Sequence, residues 1–187
     1  MRPSVRMMVM ERVTVLLQVR ALRLVLAALG VALLAQVRVP LPFTPVPITG
    51  QTLGVLLVGA LLVPEDAGLS MTLYALLGGA GVPVFAGFGQ GWHHIFGPTG
   101  GYILGFIPAA WVVSTLMRVR GLRHPWRVWL ALLAGNLTIY LFGLPWLSAF
   151  VGWRKVWALG LLPFIPGDLF KLLLASAFLL ARPVRRG

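Results

Sequence analysis

Six long apolar runs constrain this chain more than any other feature. They fall at about 22–38, 49–64, 67–82, 100–117, 128–150 and 157–181. A helix needs roughly 20 apolar residues to cross a hydrocarbon core. The runs are continuous rather than alternating, so they read as helices and not as strands of a membrane β-barrel. The composition agrees. Of the 187 residues, 59% are hydrophobic and 11% charged, against about 25% charged in an ordinary soluble domain. The chain therefore reads as a single all-α membrane domain over 1–187. Six transmembrane helices occupy 21–182, preceded by an amphipathic lead-in over 1–20 that alternates Arg with apolar residues.

The net charge of +12 would point to nucleic acid in a soluble protein. Here the basic residues cluster at the ends of apolar runs, which is the pattern of membrane orientation. With the N-terminus in the cytoplasm, the inner segments carry twelve Lys and Arg and the outer ones three, namely Arg38, Arg154 and Lys155. That bias places both termini inside. No nucleic-acid-binding signature is present. There is no cysteine, which excludes disulfides and Cys-based metal sites. His93 and His94 are adjacent, a poor arrangement for one metal ion, so no metal site is expected. No Ser–His–Asp arrangement can be assembled, and "GPTGG" lacks the Gly-Lys-Ser/Thr ending of a P-loop. An enzyme reading has no support.

Two connections stand out on the outer side. "VPLPFTPVPITG" holds four prolines and is extended and stiff. "PVFAGFGQGWHHIFGPTGG" is rich in Gly and aromatics. Both read as covers over a site, or in part as aromatic anchors at the membrane interface. Within the last run, Asp168 and Lys171 are three apart and share a helix face. A charge at mid-membrane costs about 2.5–3.5 kcal/mol, so such a pair faces a cavity or itself. Two readings stand. Asp168 caps the helix and Lys171 pairs with it. Alternatively, the acceptor and the donors meet a neutral ligand with adjacent N–H and C=O groups, such as a urea. Gln51 and Tyr140 are further polar candidates. Asn136, four residues before Tyr140, reads first as a helix–helix hydrogen bond. Ala28 and Ala32 permit close approach of a helix, from this chain or from a partner.

Taken together, "VPLPFTPVPITGQT", "GGAGVPVFAG", "FGPTGGYILGF", "IYLFGLPWL" and "PGDLFK" resemble the BioY family, the biotin-binding S-components of energy-coupling-factor vitamin transporters. The resemblance covers residues 28 to 175. It implies the S-component fold and a multi-pass protein of the prokaryotic plasma membrane that takes biotin from outside. It implies that Asp168 and Lys171 recognise the ureido ring, with Gln51 and Tyr140 as polar lining. Phe43, Phe85 and Trp92 would cover the ring system and the valeryl chain. It implies no cofactor beyond the transported biotin. It places Ala28 and Ala32 against a transmembrane coupling subunit, driven by two cytoplasmic ATPases. The sequence departs from the family's pattern at "GFGQGWHHIF", where Gln90 is the substitute polar contact, and at Gly50.

Overall fold

The computed structural model describes residues 5–119 and 124–181, with side chains from residue 14 onward. The basic residues at 2, 120, 123, 182, 185 and 186 that enter the charge count lie outside the described residues. In chain order the elements are α1 (Val5–Gln36), β1 (Arg38–Val39), β2 (Ile48–Thr49), α2 (Gln51–Leu61), α3 (Pro64–Gly79), α4 (Trp92–Phe96), α5 (Gly100–Arg118), α6 (Pro125–Val151), α7 (Trp153–Gly160) and α8 (Ile165–Ala181).

The structure corrects the expected helices in four ways. The lead-in is no separate element, because α1 runs unbroken from Val5 to Gln36. The proline-rich connection carries a two-residue antiparallel ladder pairing Arg38 with Thr49 and Val39 with Ile48. The last run is two helices, α7 and α8, bent by 47°. Pro163 explains the break, since proline disfavours helix in the residue before it, and Pro166 sits in the first turn of α8, where its missing N–H costs nothing. Finally, α2 and α3 are 11 and 16 residues long, about 16 and 24 Å at 1.5 Å per residue. Each is shorter than a core of about 30 Å. Among the described residues three helices are long and apolar enough to cross a membrane, or four if the bent pair is one span. The six expected runs thus appear, among the described residues, as three long helices, one bent pair and one short hairpin.

Local chemistry explains the hairpin. Pro64 opens α3 at its first position, where its missing N–H costs nothing. Glu65 and Asp66 follow in the first turn, where the helix dipole favours negative charge. Asp66 is buried, and Arg20 of α1 donates to it at 2.7 Å. Ser114 of α5 donates to the carbonyl of Leu62 at 2.5 Å. These contacts gather α1, α3 and α5 at one end of the bundle, the hairpin end.

The ladder gathers the other end. Gln51 donates to the Tyr74 hydroxyl at 2.6 Å, and Tyr74 donates to the carbonyl of Val84 at 3.0 Å. Together they lock α2, α3 and the 80–91 loop into one buried chain. Tyr74 also meets Phe85 edge-on, with ring centroids 5.5 Å apart. Gly50 is required here, because a Cβ would lie 2.6 Å from the carbonyl oxygen of Leu34. Helices α5 and α6 form a close seam, and a Cβ on Gly101 would meet that of Trp146 at 2.2 Å. The outside of the bundle is apolar. Leu16, Leu33 and Leu141 are 69%, 74% and 70% exposed, a surface suited to lipid rather than water.

Candidate binding cavity

At the ladder end the helices enclose a cavity of about 350 Å³, near the lower limit of small-molecule pockets at roughly 300–1,000 Å³. One part of its wall is a polar cluster centred on Asp168. That residue is 5% exposed and sits in the first turn of α8. Its Oδ2 accepts from Asn136 Nδ2 at 3.3 Å and from the Tyr140 hydroxyl. Its Oδ1 accepts from Lys171 Nζ at 3.2 Å. Asn136 and Tyr140 are one turn apart on α6, so the helix repeat itself aims both at the same carboxylate. The Lys171 pairing is present, and the partners of the carboxylate are all side chains rather than backbone N–H groups of α8. A buried ion is costly unless its lone pairs are met, and here three donors converge on it.

The remaining wall is mostly apolar. It includes Val46, Phe85, Ile103, Phe106, Ile139 and Phe164, with Pro45 and Pro47 from the stiff connection. Tyr102 contributes its ring, which meets Tyr140 edge-on at 6.2 Å, while its hydroxyl donates to the carbonyl of Gly160 at 2.9 Å. Thr52 also lies on the wall. Its buried Oγ1 has no hydrogen-bond partner among the described residues.

Of the residues singled out in the sequence, Asp168, Lys171, Gln51, Tyr140 and Phe85 meet at this cavity. Gln51 is already committed on both sides. It accepts from Thr49 at 2.9 Å and donates to Tyr74. Phe43, Trp92 and Gln90 do not lie on the wall. Phe43 sits at the tip of a turn and faces out, 57% exposed. Trp92 lies against Gly79 and stacks on Phe96 at 6.2 Å. Gln90 is exposed, and its carbonyl pairs with His94 Nδ1 at 3.0 Å. His93 and His94 do reach the wall. Ala28 and Ala32 are buried in the chain's own core. Asn136, Tyr102, Thr52 and Arg38 complete the wall without having been chosen as ligand contacts. The one sequence signal for any of them is the four-residue spacing of Asn136 from Tyr140.

Membrane-length helices with a lipid-suited exterior, lining a small cavity with one polar cluster, are those of a multi-pass membrane protein with a candidate small-molecule site. The BioY family model matches residues 8–186, and the chain belongs to the BioY family. It is 45% identical over 147 residues to "Probable biotin transporter BioY" of Pyrococcus horikoshii, covering 78% of this chain and 86% of that one. It is 35% identical over 162 residues to "Biotin transporter BioY2" of Lactococcus lactis subsp. cremoris, covering 84% and 88%. Its fold is similar to the crystal structure of "the S-component for biotin from an ECF-type ABC transporter". The TM-score is 0.78 at 24% identity, over 85% of this chain and 87% of that one.

Proposed function

We propose that this chain is the biotin-capturing subunit of an ECF-type vitamin importer. The observation that carries the reading is the buried Asp168 on the cavity wall, held by Asn136, Tyr140 and Lys171. A carboxylate has about four acceptor sites, and three are filled internally. The fourth is left for a ureido N–H. Lys171 commits one donor to Asp168 and keeps others for the ureido oxygen. The orphan Thr52 hydroxyl offers a further polar contact, as buried hydroxyls require partners. Phe85, Phe106 and Phe164 would hold the apolar ring system. The names carried by the curated relatives support the same ligand.

In this reading the ladder end faces outward and both termini face the cytoplasm of a prokaryotic cell. Arg154 and Lys155 then lie outside, in accord with the bias of basic residues. The chain is one integral domain with no cofactor of its own. It has no Walker motif, so ATP hydrolysis belongs to two cytoplasmic ATPase subunits acting through a transmembrane coupling subunit. Capture and release then require two states of differing affinity, and docking must favour the weaker one. Calorimetry of the purified chain against a vitamin panel tests the ligand. Biotin alone should bind in a 1:1 ratio, and binding of another vitamin in its place would overturn the assignment.

A further inference from the structure

Arg38 stands on the cavity wall as an exposed residue and makes no ion pair among the described residues. Its backbone is fixed by the ladder pairing with Thr49 and by the Gly50 N–H, which donates to the carbonyl of Val37 at 2.8 Å. Its side chain is fixed from the other side. The guanidinium lies across Gly87, where a Cβ would come within 2.3 Å of Nη1 and 2.6 Å of Cζ. Gly87 also has φ +67°, a conformation that side-chain-bearing residues rarely adopt. Bare backbone is thus needed there on two counts. Gln36 holds the same loop, donating to the carbonyl of Phe85 at 3.2 Å and accepting from the Phe88 N–H at 2.8 Å. The guanidinium is placed rather than left trailing.

Among the described residues no carboxylate is positioned to meet it. The chain has four acidic residues. Asp168 is occupied by Lys171, Asn136 and Tyr140. Asp66 pairs with Arg20, which is 16 residues before Gln36 in a continuous helix, about 24 Å at 1.5 Å per residue. Glu65 adjoins Asp66 at that end. Glu11 is 25 residues before Gln36 in α1, about 38 Å away. A planar guanidinium is always charged and matches a carboxylate with two parallel hydrogen bonds. Lys171, the other Lys or Arg on the wall, is already paired.

We propose that Arg38 reads the carboxylate of the ligand and makes the cavity selective for the acid over its amide. This rests on the biotin reading, in which the Asp168 cluster takes the ureido ring and leaves the carboxylate at the far end of the valeryl chain. The test is calorimetry of the purified full chain and Arg38→Gln with two probes, biotin and its primary amide. The unmutated chain should bind the acid at least about tenfold tighter than the amide. Arg38→Gln should lose about tenfold for the acid and little for the amide, with Arg38→Lys in between. Retained amide affinity also shows that the variant is folded. Equal loss for both probes, or no loss for either, overturns the assignment. An unmutated chain that binds neither probe overturns the ligand reading itself, and this inference with it.

Discussion

Asp168 is the residue on which the site depends. Its charge is held inside an apolar bundle only because Asn136, Tyr140 and Lys171 all donate to it. Tyr140→Phe keeps the ring and removes one donor. A hydrogen bond to a charged group is worth about 1.5–3 kcal/mol, so the ligand-free variant should melt earlier by about that much. An unchanged melting temperature would mean that the hydroxyl does not support the carboxylate. The pair Asp168–Lys171 was legible in the sequence because two charges in a greasy run are conspicuous. Phe43 and Trp92, expected over the ring system, lie off the cavity wall. Aromatics are common in apolar chains, and their direction depends on a turn at 42–43 and on the bare Gly79, neither of which shows in spacing.

At the scale of elements, α1 teaches the same lesson. Small residues four apart signal close approach, but not which helix approaches. Ala28 is 1% exposed and serves this chain's own packing, whereas Leu29 on the next position is 43% exposed. Ala28→Trp should therefore destabilise the chain itself, by about 1–3 kcal/mol for overpacking, while Leu29→Trp leaves its melting unchanged. Thermal unfolding in detergent separates the two. Equal behaviour would contradict the packing assigned to α1. The break between α7 and α8 was readable in principle, because Pro163 interrupts the run. The short ladder was not, since two paired residues leave no period to detect.

Across the whole molecule, the apolar runs were enough for a multi-pass helical bundle, and ordered motifs were enough for the family. The exact ends of α2 and α3 were less legible, because apolar residues continue through Leu62 and Val63 at the helix break. The proposed orientation makes a direct prediction, helped by the absence of native cysteine. In intact cells a membrane-impermeant maleimide should label Lys155→Cys readily. It should label His124→Cys only after permeabilisation. The reverse pattern would invert the bundle.

The central claim is that a buried carboxylate on the cavity wall recognises the ligand. Asp168→Asn changes its charge and acceptor capacity with almost no change in shape, so biotin titration of the purified variant beside the unmutated chain is the most direct measurement. Loss of a charge-assisted contact worth about 1.5–3 kcal/mol predicts affinity weakened by roughly 10–100-fold in a protein that remains folded. Unchanged affinity would contradict the account.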